Sequence, residues 1–129
     1  HVPDNVSLGS WFPQPSVVAR SQVFIHHGGN NSFCEALFHG VPSLVMPYCW
    51  DGHDNAQRAA SLGFGKHLSR ADWTDQQLHD AILALLQDDA MRARLQRVSQ
   101  DMQAKPGAAS AARAVLASVA NVANIAATG

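Results

Sequence analysis

The sequence predicts an α/β fold: a parallel sheet with flanking helices, followed by a helical tail. Three observations carry this. Short apolar, β-prone runs alternate with helical stretches over residues 1–68. Glycine or proline closes most of these segments. From residue 69 onward only the helical period remains. A chain of 129 residues can bury one core and not two, so it is a single domain, with an α/β part over 1–68 and a helical part over 69–129.

Val6–Leu8 reads as a first strand leading into Trp11-Phe12-Pro13-Gln14, and Pro15–Arg20 as a helical turn. Val23–His26 is apolar and β-prone, a second strand, and Ser32–His39 a helix ended by Gly40. Ser43–Met46 is a third strand closed by Pro47. Asp54–Leu62 is a helix stopped by Gly63, with a short strand over Gly65–Leu68. Thr74 and Asp75 can cap a helix whose apolar residues fall at Leu78, Ile82, Leu85 and Leu86. Met91, Leu95, Val98 and Met102 repeat that period until Pro106-Gly107 breaks it. The alanine-rich tail, 108–127, then sets Val115, Val119 and Val122 on one side of a structural helix.

A net charge of −1 with 15% charged residues argues against nucleic acid as a partner, which demands a basic face. Cys34 and Cys49 form no CxxC and read as free, buried thiols of a reducing compartment; with no signal peptide or membrane-length apolar run, a cytoplasmic protein is expected. The sequence opens on His1-Val2-Pro3 with no initiator Met, so a piece of a larger protein is expected.

The chemistry concentrates in residues 24–35, Phe-Ile-His-His-Gly-Gly-Asn-Asn-Ser-Phe-Cys-Glu. A strand that turns through glycines onto a helix start presents free N–H groups and a positive dipole end, which favour an anion. His27, Asn31 and Ser32 add an imidazole, an amide and a hydroxyl to those donors. Together they read as a seat for a diphosphate. Ser32 and Glu35 also spell S-x-x-E, a capping box in its own right, and Asn31 suits a left-handed turn.

A second cluster, Trp50-Asp51-Gly52-His53-Asp54-Asn55, follows the third strand, and ligands of open parallel sheets bind beyond the carboxyl ends of strands. Asp51 there can accept from hydroxyl groups; alternatively Asp51 is a turn residue and Asp54 caps the next helix. Trp11 could stack on a base or belong to the core. The seven histidines raise a metal site, but none shows a recognised ligand spacing, and no metal is expected. A serine hydrolase is disfavoured because the sequence has no G-x-S-x-G.

The run Trp11-x-Pro13-Gln14, then His27-x-Gly29-x-Asn31-Ser32-x-x-Glu35-Ala36-Leu37, then Gly40-Val41-Pro42, Pro47, Asp51 and Asn55-Ala56, resembles the donor-binding signature of family 1 glycosyltransferases. These are UDP-glycosyltransferases of the GT-B fold, including bacterial enzymes that glycosylate macrolides and other natural products. The resemblance is close over residues 1–68 and implies the Rossmann-like C-terminal half of such an enzyme, incomplete at its N-terminus. It implies that Trp11 stacks on the nucleobase and Gln14 lies near the nucleoside. His27 with Gly29 would meet the diphosphate and stabilise the leaving group. Asn31 and Ser32 would hold the phosphate nearer the nucleoside, Glu35 the ribose hydroxyls, and Asp51 hydroxyls of the transferred sugar. Gly52 stands where the family commonly has Gln, so a sugar-hydroxyl contact is either missing or supplied by His53, which leaves the identity of the sugar open.

The resemblance further implies no cofactor, a UDP-sugar or dTDP-sugar donor, and inverting transfer to a hydroxyl of a small-molecule or lipid acceptor. The acceptor base belongs to an N-terminal acceptor-binding domain, here in a longer parent or a second chain. In strand order 3-2-1-4-5-6, two strands absent from this sequence would lie between Val6–Leu8 and Val23–His26. That leaves an unpaired edge, so a swapped homo-oligomer is a further expectation, and the chain alone should not turn over. A non-catalytic nucleotide-sugar-binding subunit of a two-chain glycosyltransferase is the alternative.

Overall fold

The computed structural model describes residues 1–127. A five-residue helix α1 (Gln14–Val18) precedes strand β1 (Phe24–His26) and helix α2 (Asn30–His39). Strand β2 (Ser43–Val45), helix α3 (Asp51–Ser61) and strand β3 (Gly65–His67) follow, and helices α4 (Asp75–Gln87), α5 (Asp89–Ala104) and α6 (Gly107–Ala127) complete the chain. The strands form one parallel sheet in the order β1-β2-β3, with Ile25 opposite Leu44 and Leu44 opposite Lys66.

β2 is buried throughout, as a central parallel strand covered on both faces must be. Alternation of side chains sends its residues to two cores. Val45 packs with Phe33 of α2 and with Ala56 and Ala59 of α3, whose small side chains let helix and sheet approach closely. Leu44 packs with Leu85 of α4 and with Met91 and Leu95 of α5. The apolar stripe predicted from Leu78, Ile82 and Leu85 is the one that reaches this second core. Because α2 and α3 share one face, their N-termini emerge side by side at the carboxyl edge of the sheet.

Helix ends follow local chemistry. Gly40 ends α2 in the left-handed conformation, φ 69°. Thr74 and Gln77 make a reciprocal capping box at α4, and Asp88 caps α5 by accepting from the Met91 N–H at 2.8 Å.

Five expectations are corrected. Cys34 and Cys49 are exposed rather than buried, and on α2 the inward positions beside Cys34 are taken by Phe33 and Ala36. Val6–Leu8 is not a strand: a strand needs a ladder partner, none among the described residues runs beside it, and Leu8 is 76% exposed. The ordering that relied on that strand therefore has no counterpart here, and β1 forms an edge whose only described partner is β2. α2 begins at Asn30 rather than Ser32, and α3 at Asp51 rather than Asp54, each one turn or less early. Ser32 and Glu35 do not form a capping box, since Gly29 is the N-cap and Ser32 already lies inside the first turn. Finally, α6 does not bury its apolar side: Val115, Leu116 and Val119 are each more than 60% exposed. The side chain of Val122 lies outside the described residues. No helix among the described residues is long and apolar enough to cross a membrane.

Candidate functional site

The turn from β1 into α2 is held in place by backbone contacts that only glycine permits. Gly28 has φ +88°, and a Cβ there would stand 2.8 Å from the Gly52 Cα. Gly52 reciprocates, since a Cβ on it would meet the His27 carbonyl oxygen at 2.6 Å. The turn between β1 and α2 is thus in direct backbone contact with the first turn of α3. The first intrahelical bond of α2 runs from the Phe33 N–H to the Gly29 carbonyl, 3.0 Å. The N–H groups of Asn30, Asn31 and Ser32 therefore have no partner within the helix; that of Asn30 donates to Asp51, and those of Asn31 and Ser32 are open to an anion.

Two buried polar side chains brace this turn, and sequence reasoning gave neither a role. His26 Nδ1 accepts from the Gly28 N–H at 3.1 Å, so its neutral ring carries the proton on Nε2, which donates to Ser43 Oγ at 3.1 Å. Burial, and secondarily the neighbouring His27, lower its pKa to about 4. Asn55, buried on α3, donates through Nδ2 to the Gly28 carbonyl at 2.7 Å and to Asn30 Oδ1 at 2.9 Å. A lone His beside His27 carries no sequence signal for this bracing, and Asn55 was visible only as part of the family resemblance.

Most of the predicted residues converge. Gln14, His27, Gly29, Asn31, Ser32 and Asp51 line one open cavity of about 510 Å³, with Asn30 added. Gly29 has no Cβ to obstruct the His27 imidazole, whose Nε2 lies 2.6 Å from where that carbon would stand. Trp11, 77% exposed, lies instead in a neighbouring cavity of about 320 Å³ with Phe12, Val17 and Phe24. Gln14 lines both cavities and joins them. Its Nε2 donates to Glu35 Oε2 at 2.8 Å and to Ser32 Oγ at 3.2 Å, tying α1 to α2. Glu35 is thus reached through Gln14 and is not itself part of the lining. Among the described residues no group of three His, Cys, Asp or Glu side chains could share a metal ion.

Asp51 lies at the first position of α3, and its Oδ2 accepts from the Asn30 N–H at 3.3 Å. It therefore covers one of the donors at the start of α2. The turn that delivers it is unusual. Cys49–Gly52 closes with a bond from the Gly52 N–H to the Cys49 carbonyl, 3.0 Å, and Trp50 has φ 48°, ψ −122°. Those are the angles of the first central residue of a type II′ turn, a position that favours glycine. For an indole-bearing residue the strain is about 1–3 kcal/mol. Trp50 is nonetheless 88% exposed.

Over residues 1–118 the chain matches the family described as erythromycin biosynthesis protein CIII-like, C-terminal domain. The chain belongs to this family. The chain is 35% identical over 109 residues to the 3-alpha-mycarosylerythronolide B desosaminyl transferase of Saccharopolyspora erythraea, covering 84% of this chain and 26% of that protein. The aklavinone 7-beta-L-rhodosaminyltransferase of Streptomyces galilaeus is 34% identical, with 84% and 25% covered. The chain thus spans about a quarter of the length of these relatives.

Among solved structures, the calicheamicin glycosyltransferase CalG4 superposes on this EryCIII-like domain with a TM-score of 0.85, at 31% identity over 95% of this chain and 32% of that one. The glycosyltransferase VinC, solved in complex with dTDP, gives a TM-score of 0.74 at 27% identity, over 82% of this chain and 27% of that one. The fold is the Rossmann-like C-terminal half of a GT-B glycosyltransferase.

Proposed function

We propose that this chain is the nucleotide-sugar-binding part of an inverting glycosyltransferase, which moves a sugar from a UDP- or dTDP-sugar to an acceptor hydroxyl of a small molecule or lipid. One observation carries the reading: Gln14 joins an aromatic cavity to a donor-rich one. A nucleoside diphosphate has that shape, with a base to lie against Trp11 and a diphosphate to meet His27, Asn31, Ser32 and the α2 N-terminus. The diphosphate in the solved VinC complex supports the same ligand class.

In the reaction the acceptor oxygen forms a bond to the anomeric carbon while the bond from that carbon to the diphosphate oxygen breaks. A base in the acceptor-binding domain takes the hydroxyl proton, and the diphosphate leaves with the electron pair. The anomeric centre becomes oxocarbenium-like and negative charge grows on the leaving group. In this reading His27 and the first-turn N–H groups meet the diphosphate as that charge develops, which is where fixed donors accelerate a reaction. Asp51, beside them, accepts from sugar hydroxyls. The partners are the donor and an N-terminal acceptor-binding domain.

The test is calorimetric titration of UDP and dTDP into wild-type protein and His27→Ala. Binding of one nucleotide, weakened about tenfold or more in the variant, is the expected result. A folded wild-type protein that binds neither would overturn the reading.

A further inference from the structure

We infer that Trp50 is a stacking face for the transferred sugar and so a residue that sets donor-sugar specificity; the inference rests on the donor reading above. The left-handed backbone of Trp50 is not needed by the turn it sits in. Glycine at this position would make the same type II′ turn without strain and would deliver Asp51 and Gly52 to the same places. Packing within the chain does not compensate either, because the side chain is 88% exposed. What the indole does must therefore involve something that comes to the surface.

Its place narrows the occupant. Consecutive Cα atoms are about 3.8 Å apart, so Trp50 stands directly beside Asp51, which lines the donor cavity. The same loop supplies Pro47, Tyr48 and His53 to a separate cavity of about 610 Å³, and Trp50 falls on the stretch between the two. Position 52 can offer the sugar no side chain, because a Cβ there would collide with the His27 carbonyl. Tyr48 and His53 face the other cavity, which leaves Asp51 and its neighbour Trp50 as the groups of this loop on the donor side. The Asp51 carboxylate accepts from hydroxyls at one edge, and the Trp50 ring offers an electron-rich face to the C–H side of a pyranose. A hexose held this way is chosen for an unbroken apolar face, which deoxygenation enlarges.

The experiment compares UDP with UDP-glucose and dTDP with dTDP-glucose on wild type, Trp50→Ala, Trp50→Phe and Trp50→Gly. The readout is the ratio of Kd for the nucleotide sugar to Kd for its free diphosphate. Trp50→Ala should shift this ratio about tenfold against the sugar while the Kd of the diphosphate stays within about twofold. Trp50→Phe should recover most of the loss. Trp50→Gly should lose the sugar preference as Ala does, yet raise the Tm of the ligand-free protein above wild type by releasing the left-handed angle. An unchanged ratio in Trp50→Ala, or a Tm of Trp50→Gly no higher than wild type, would overturn the inference and leave the donor reading standing. A wild-type protein that binds neither diphosphate would overturn both.

Discussion

Asn55 donates to the carbonyl of Gly28 at 2.7 Å across 27 residues of sequence, and the same amide nitrogen reaches Asn30 Oδ1 at 2.9 Å. One side chain on α3 thereby fixes both the glycine turn and the first residue of α2. Asn55→Ala would leave a buried carbonyl without its partner, a loss of about 1–3 kcal/mol. The expected result is a lower urea midpoint with an unchanged m value and a weaker nucleotide diphosphate affinity. Full stability in the variant would show that His26 and the Gly28–Gly52 contact hold the turn without Asn55.

His26 makes the stability of this turn sensitive to acid. Its pKa is lowered to about 4, so between pH 6.5 and 4 the unfolded chain binds a proton that the folded chain refuses. Stability from this group is complete above pH 6.5 and falls as the pH drops through that window, by up to about 3 kcal/mol. Protonation of Nδ1 would also set a donor against the Gly28 N–H it now accepts from. Carboxylates titrate in the same range, so the measurement is the difference between wild type and His26→Gln in chemical denaturation from pH 7 to 4. The slope of that difference should vanish above pH 6.5. A difference independent of pH throughout would place the buried charge cost elsewhere.

How much of this was legible in the sequence depends on whether a residue acts locally or through a neighbour distant in sequence. The glycine turn, the order of elements and the α4 cap are local, and Thr74 with Gln77 shows as much. His27, Asn31, Ser32 and Asp51 were found because strand ends of one sheet face the same way, so two loops could be brought together on paper. The bracing of the turn by His26 and Asn55 is long-range and invisible to spacing. Ser32 and Glu35 had the spacing of a capping box, yet both accept from Gln14, because α2 starts two residues earlier and its first turn is already spoken for by Gly29. Gly52 read as a sugar contact missing or taken over by His53, and what spacing did not show is that its lack of a side chain lets α3 approach the His27 carbonyl. Val6–Leu8 had strand propensity without a partner, and propensity alone does not make a strand.

The Asp51 carboxylate shares the α2 N-terminus with the proposed diphosphate seat, 3.3 Å from the Asn30 N–H. Two negative groups at one helix end repel, and at a partly solvated site the interaction is about 1 kcal/mol. Asp51→Asn should therefore bind free UDP or dTDP about threefold to tenfold more tightly. The nucleotide sugar should not share in that gain, because an amide accepts less strongly from sugar hydroxyls than a carboxylate does. Parallel titrations with diphosphate and nucleotide sugar separate the two effects. An equal loss for both ligands would mean that Asp51 serves chiefly to hold the start of α2.

Glu35 offers a way to learn which nucleotide the site was built for. Gln14 holds its Oε2 at 2.8 Å, which orients the carboxylate and leaves Oε1 to accept from a ribose hydroxyl. UDP carries two such hydroxyls and dTDP one, so the two ligands respond differently to loss of the charge. Glu35→Ala should weaken UDP about tenfold to a hundredfold, since hydrogen bonds to a charged group contribute about 1.5–3 kcal/mol. The loss for dTDP should be smaller. Stability should change by no more than about 0.5 kcal/mol, because the Gln14–Glu35 bond is exposed. Equal losses for the two nucleotides would instead mean that Glu35 acts by positioning Gln14 and Ser32 at the phosphate, a contact the ligands share. If the ribose contact holds, the nucleotide whose affinity depends more on Glu35 is also the one the carboxylate discriminates for, and comparing it with the tighter wild-type ligand tests the donor assignment from two independent sides.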